Sequence, residues 1–144
     1  MEKILISACL LGINCKYNGK NNYNSLIEKL KEKYILIPIC PEQMGGLSTP
    51  RNPSEIKGDK VISSAGDDVT TNFIAGANKA LDIAKKENIS IAILKEGSPS
   101  CGSNYIYDGT FTKTKVDGMG ITARLLSNNN IKIYNENNFG ELIW

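Results

Sequence analysis

Short apolar runs alternate with helical stripes along this chain. Lys3-Ile4-Leu5-Ile6-Ser7-Ala8 is apolar enough to predict a buried strand, and it ends at Cys9. Gly12, Asn14, Asn18 and Gly19 then mark a long, turn-rich loop. Asn24 or Ser25 is placed to cap a helix through Leu26, Ile27 and Leu30, whose spacing puts them on one face. Tyr34-Ile35-Leu36-Ile37-Pro38-Ile39 predicts a second strand, ending at Cys40. Pro38 donates nothing to a ladder, so this strand is frayed near its end or lies at a sheet edge there.

Pro41 to Pro53 carries Gly45, Gly46 and Pro50 and reads as a loop. Val61-Ile62 and Asp68-Val69, around Ala65-Gly66-Asp67, suggest a small hairpin. The clearest helix runs from Thr70 to Lys86. Phe73, Ile74, Ala77, Ala80, Leu81 and Ala84 fall on its stripe, and Lys85-Lys86 suit the negative end of its dipole. Ile89 to Leu94 predicts a third strand, and Glu96 to Gly109 reads as a loop rich in Gly and Ser. A helix from about Gly120 to Ser127 and a strand at Ile131-Lys132-Ile133-Tyr134 complete the pattern. Continuous apolar strands separated by helices favour an α/β fold with a mainly parallel sheet and helices on both faces, Rossmann-like in three layers. Its length fits a single domain over residues 1–144.

Composition changes this picture in one respect: the 144 residues include no His. Ser-His-Asp and Cys-His catalysis, HExxH zinc chemistry and an imidazole acid/base are excluded. Charge adds little, since 17 basic and 15 acidic residues leave +2. The dense run Glu28-Lys29-Leu30-Lys31-Glu32-Lys33 alternates in sign and reads as a solvated helix face, so no nucleic-acid polymer is expected as partner. No apolar stretch approaches the ~20 residues of a membrane span, and the one after Met1-Glu2-Lys3 is too short for a signal-peptide core. A cytoplasmic, monomeric protein is expected. Four Cys are too few for a disulfide-dense secreted scaffold, so these thiols are reduced, metal-binding or reactive.

Three of them occupy equivalent places. Cys9 ends the first predicted strand, Cys40 ends the second, and Cys101 lies in the loop leaving the third. In a parallel sheet all three emerge at the carboxyl edge, where α/β folds bind ligands. Singly, Cys9 and Cys40 also fit as small buried residues closing apolar strands. Cys101 sits in Gly97-Ser98-Pro99-Ser100-Cys101-Gly102-Ser103, where no apolar pattern asks for it. Together, three thiolates without an imidazole suit a soft metal or an iron–sulfur cluster with one iron left open. Cys15 is either a fourth ligand or a bystander.

Other groups gather nearby in sequence. Glu42, in Pro41-Glu42-Gln43-Met44-Gly45-Gly46, is a candidate general acid/base or else a surface carboxylate capping a turn. Ser98 lacks a His base and is assigned to hydrogen bonding or proton relay. Arg51 either meets an anion or carbonyl oxygen or pins its own loop. Gly118-Met119-Gly120 leads into a helix N-terminus, which is a generic anion site or an ordinary cap.

Four segments carry a resemblance. Ile6-Ser7-Ala8-Cys9-Leu10-Leu11-Gly12 with Cys15-Lys16-Tyr17-Asn18-Gly19, Pro38-Ile39-Cys40-Pro41-Glu42-Gln43-Met44-Gly45-Gly46-Leu47 with Pro50-Arg51, Leu94-Lys95-Glu96-Gly97-Ser98-Pro99-Ser100-Cys101-Gly102, and Gly118-Met119-Gly120-Ile121-Thr122-Ala123 occur in order. They resemble the blocks of a family long known as a domain of unknown function and now associated with thiouracil desulfurases. The resemblance implies a [4Fe–4S] cluster held by Cys9, Cys40 and Cys101, with its fourth iron open to a thiocarbonyl sulfur. It implies that Glu42 and Ser98 assist in replacing C=S by C=O on a small thiolated pyrimidine such as 2-thiouracil, releasing sulfide without net redox change. Lys16 and Asn18 stand where the family pattern has Arg and Asp, which bears on the choice among thiolated bases. The rival readings are a non-catalytic iron–sulfur sensor or electron carrier, a zinc-thiolate protein completed by Cys15, and a plain ligand-binding module.

Overall fold

A computed structural model describes all 144 residues. In chain order the elements are β1 (Glu2–Ser7), a 3-10 turn (Ala8–Leu11), α1 (Ile27–Leu30), β2 (Tyr34–Ile39) and α2 (Pro41–Met44). Then come the hairpin strands β3 (Ser54–Lys57) and β4 (Lys60–Ser63), followed by α3 (Thr70–Lys86) and β5 (Ile91–Ile93). A second hairpin, β6 (Tyr105–Tyr107) and β7 (Lys115–Asp117), precedes α4 (Ile121–Asn128), β8 (Lys132–Tyr134) and a last 3-10 turn (Phe139–Leu142).

The expected architecture is the one found: a four-stranded sheet in the order β2-β1-β5-β8, parallel throughout. β1 is central and loses water on both faces, with Ile4, Leu5 and Ile6 fully buried. Ile4 and Ile6 pack with Ile27 and Leu30 of α1 and with Phe139 and Ile143 near the C-terminus. Leu5 points the other way, into Ala80, Leu81 and Ala84 of α3 and Ala123 and Leu126 of α4. Each such side chain contributes about 1.5–3 kcal/mol on burial, so a strand apolar on both faces draws helices to both. β2 is an edge strand, which satisfies the condition that Pro38 imposes.

Register aligns the carboxyl ends. Ser7 pairs beside Ile39, Ile6 beside Ile93, and Ile93 beside Tyr134. The segments leaving β1, β2, β5 and β8 therefore start from one edge of the sheet.

Several local expectations need correction. The residues after β2 are not all loop: Pro41 starts α2, at a first helical position where its missing N–H costs nothing. The first hairpin pairs Ser54–Lys57 with Lys60–Ser63 across Gly58-Asp59, and Asp68 meets Ile62 only through an isolated bridge. A two-residue turn opening on Gly matches the strand twist better than the longer Ala65-Gly66-Asp67 connection. The stretch read as loop from Glu96 to Gly109 contains β6. α1 is a single turn whose N-cap is Leu26, with no side-chain cap; Asn24 accepts the Leu26 N–H at 3.0 Å in the turn before it.

α3 keeps its expected bounds, but Ile74 is 48% exposed while Gly76 is buried. The reason is a close crossing with α2. A Cβ on Gly76 would lie 1.9 Å from the Pro41 carbonyl oxygen, and one on Gly45 would lie 2.0 Å from that of Asn72. Gly76→Ala is therefore expected to push α2 off α3 and to cost about 1–3 kcal/mol or more by overpacking. A lower urea midpoint at unchanged m-value checks this. An unchanged midpoint would mean that α2 yields without cost.

Candidate functional site

Each strand end delivers one thiol by a different device. Cys9 rides on the 3-10 turn that closes β1, where the Asn22 backbone N–H donates to its carbonyl oxygen at 2.9 Å and the Asn22 side-chain amide donates to its sulfur at 3.3 Å. Cys40 is the N-cap of α2, so the Gln43 backbone N–H lies against its sulfur. Cys101 needs more support, since seven residues separate it from the core residue Leu94.

That support is Glu96, only 3% exposed. One carboxylate oxygen accepts the backbone N–H groups of Gly97, Ser103, Asn104 and Tyr105 at 2.8–3.4 Å. The other accepts the Ser103 hydroxyl and the side-chain amides of Asn104 and Asn135 at 2.9–3.1 Å. The 97–105 loop is folded around this one charge. Burial works against its ionisation, but the N–H groups of Asn104, Tyr105 and Ser103 outweigh burial and hold Glu96 below the usual carboxylate value.

The loop is fastened on its other side by α4. The N–H groups of Gly120, Ile121, Thr122 and Ala123 donate at 2.7–3.1 Å to the carbonyls of Gly102, Pro99 and Ser100. A Cβ on Gly120 would lie 2.4 Å from the Ser100 carbonyl oxygen, so only Gly permits that approach. The Gly118-Met119-Gly120 turn is therefore a cap, and it lies outside the cavity rather than forming an anion site.

A cavity of about 590 Å³ brings the expected residues together. Cys9, Cys40, Cys101, Glu42 and Ser98 all line it, with Cys15 and Arg51 beside them. Ser98 Oγ accepts the N–H groups of Ser100 and Cys101, both at 3.0 Å, leaving its own proton to donate. Glu42 pairs with Arg51 at 2.6 Å, with the two side chains 19% and 7% exposed. Arg51 also donates to the carbonyls of Cys15 and Ser48 and to the Thr49 hydroxyl at 2.9–3.2 Å. It is thus the loop-pinning Arg, and it fixes the direction of the Glu42 carboxylate as well.

The thiols differ in charge. The Cys15 thiol has one proton to offer between the Cys40 and Cys9 sulfurs, and that proton is held far above its ordinary value. Cys40 is lowered to about 6 by that Cys15 bond, against burial, with the Gln43 N–H and Arg51 helping. Cys9 falls to about 7 through Cys15, against burial, aided by Asn22 and Lys95. Burial pushes Cys101 up to about 12, only partly countered by the Ser7 hydroxyl. Binding metal at all three would release the Cys101 proton. No three Cys, Asp or Glu side chains gather around a single-ion position. The donor set, soft thiolates spread around one cavity, fits an iron–sulfur cluster rather than one zinc completed by Cys15.

Two charged residues escaped sequence reasoning. Besides Glu96, Lys95 lines the cavity, anchored by Glu136 at 2.8 Å and the Glu96 carbonyl at 2.9 Å. A charged pair placed where an apolar strand opens into a Gly/Ser loop was the available signal.

The chain is similar to known proteins over nearly its whole length. The model of the 2-thiouracil desulfurase family matches residues 4–138. YbbK of Bacillus subtilis (strain 168), described as uncharacterized, is 43% identical over 150 residues covering 97% of this chain and 99% of its own. The solved structure of a [4Fe–4S]-dependent thiouracil desulfidase, TudS, superposes with a TM-score of 0.91 at 42% identity, over 99% of this chain and 95% of that one.

Because Glu96 is held below its ordinary value, its contribution to stability is complete above the unfolded Glu pKa of about 4.3 and is lost as pH falls through the lowered one. Glu96→Gln is expected to cost about 3 kcal/mol or more at pH 7, since bonds to a charged group are worth about 1.5–3 kcal/mol each. It should also flatten the loss of stability below pH 4.5. Urea midpoints from pH 3 to 7 test both, and coincident curves for the two proteins would show Glu96 to be unimportant.

Proposed function

The chain belongs to the 2-thiouracil desulfurase family, and on that premise we propose that it removes sulfur from a thiolated pyrimidine. The carbon exchanges C=S for C=O, water supplies the oxygen, and sulfide leaves with the two protons, so no electrons are transferred overall. The observation that carries this reading is the meeting of three thiols, a carboxylate and a hydroxyl in one cavity at the strand ends.

Cys9, Cys40 and Cys101 would hold a [4Fe–4S] cluster. When bound, the cluster supplies an iron without a protein ligand, a soft Lewis acid that takes the thiocarbonyl sulfur and makes sulfide a better leaving group. The protein's own groups manage the rest. Glu42 takes a proton from the water that adds to the thiocarbonyl carbon, then delivers it to the departing sulfur as the tetrahedral adduct collapses and its hydroxyl proton follows. Arg51 keeps that carboxylate aimed into the cavity through the 2.6 Å contact. Ser98, already accepting two N–H groups, donates its one proton to the substrate and orients it.

All of these groups come from one chain, so the site needs no partner copy. No helix is long and apolar enough to cross a membrane. Four free thiols suit a reducing compartment such as the cytoplasm.

Anaerobically reconstituted protein is expected to release sulfide from 2-thiouracil. Glu42→Ala should retain its iron and lose about 100-fold or more in turnover, the range set by general acid/base catalysis. Cys101→Ser should lose the iron. Iron-loaded wild-type protein that releases no sulfide from any thiolated pyrimidine would end this reading, as would full turnover by Glu42→Ala.

A further inference from the structure

Four residues other than Gly have positive φ: Asn88, Phe111, Lys113 and Asn130. Asn88 and Asn130 follow the ends of α3 and α4, where Asn in the left-handed region is an ordinary helix stop. Phe111 at 59° and Lys113 at 61° have no such reason. Both lie in the loop joining β6 to β7, and both line the cavity. A bulky side chain enters that region only where its surroundings hold it there, and such places cluster at ligand sites.

The holding group is Glu55 of β3. Its carboxylate accepts the N–H groups of Gly109 at 2.9 Å and Phe111 at 3.2 Å, clamping the loop tip onto the first hairpin. Glu55 itself lines the cavity. The clamp sets the Phe111 side chain, half-buried, in the cavity wall. Tyr105, a neighbouring aromatic residue of the wall, carries the Lys115 ammonium 4.5 Å from its ring centre and stands edge-on to Tyr107 at 6.2 Å. The Phe111 ring makes no ring or cation contact of this kind within the protein.

We propose that Phe111, positioned by the Glu55 clamp, determines specificity by stacking on the face of the planar heteroaromatic ring of the substrate. The inference rests on the desulfurase reading and deepens it. Sulfur affinity at an iron and proton handling by Glu42 and Ser98 serve any thiocarbonyl compound equally. A ring face is the feature that separates a thiolated base from an acyclic thioamide, and an unpartnered aromatic wall reads that feature without regard to ring substituents.

The test uses anaerobic holoenzyme with 2-thiouracil and thiourea as probes, followed by sulfide release and by calorimetric binding of 2-thiouracil. Phe111→Ala is expected to raise KM and Kd for 2-thiouracil about 10-fold or more, while thiourea turnover and iron content stay unchanged. Phe111→Leu keeps the apolar bulk without the aromatic face and should behave alike, whereas Phe111→Tyr should restore binding. Glu55→Ala should weaken 2-thiouracil binding in the same direction, and Glu55→Gln, which retains an acceptor, should recover most of it. An unchanged preference for 2-thiouracil over thiourea in iron-loaded Phe111→Ala and Phe111→Leu would overturn the proposal. So would its loss in Tyr17→Ala alone, since Tyr17 also lines the cavity and is 43% exposed. Wild-type protein that binds 2-thiouracil through Phe111 yet releases no sulfide would refute the desulfurase reading and leave the stacking role standing.

Discussion

A single buried carboxylate organises the site. Glu96 emerges from the end of β5 into a place with almost no water, and seven hydrogen bonds converge on it. Without them the buried Gly97 N–H would be unpaired, a cost of about 1–3 kcal/mol, and Ser103, Asn104 and Tyr105 would each lose a charged acceptor. The loop that carries Ser98 and Cys101 therefore has one low-energy path, and it runs around Glu96. The Asn135 amide ties that path to the end of β8, while the Glu136 carboxylate holds both the Glu96 N–H and the Lys95 ammonium. Charge in the interior is retained here because it is fully hydrogen-bonded.

The opposite wall follows the same logic with the sign reversed. The Arg51 side chain is 7% exposed, and its donors reach Cys15, Ser48, Thr49 and Glu42. It thus joins the loop after β1 to the helix after β2, and so sets Glu42 relative to the thiols Cys9 and Cys40. Cys15 lines the same cavity, and its carbonyl oxygen accepts from Arg51 at 2.9 Å and from the Cys40 thiol at 3.7 Å. The close crossing of α2 and α3 at Gly45 and Gly76 fixes the height of Glu42 above the sheet edge. Two ionic hubs and one tight helix contact thus determine where the chemistry-bearing side chains can go.

The legibility of the chain varied with the range of the interactions involved. The bounds of β2 and α3 were readable because a continuous apolar run and a period-3.6 stripe are written in consecutive residues. The hairpin at Ser54–Ser63 was misplaced because its strands are short and half polar, and the informative Gly58-Asp59 turn carries no apolar flag. Pro41–Met44 was missed as helix because one turn has no periodicity to detect. Glu96, Lys95 and the Glu55 clamp escaped for another reason: most of their partners lie 7 to 56 residues away, so the charged pair at the strand end does not tell what it binds.

The sequence by itself determined the layered α/β plan, the absence of imidazole chemistry and the candidacy of Cys9, Cys40, Cys101, Glu42 and Ser98, since side-chain type and strand ends are local properties. Tertiary structure alone decided that these groups share one cavity, that Arg51 meets Glu42, and that the Cys15 carbonyl is held by Arg51 beside them. It also decided that Phe111 is held in the left-handed region at the cavity wall. Those outcomes depend on which buried polar groups can find partners once the apolar faces have closed, and that matching is settled across the whole chain at once.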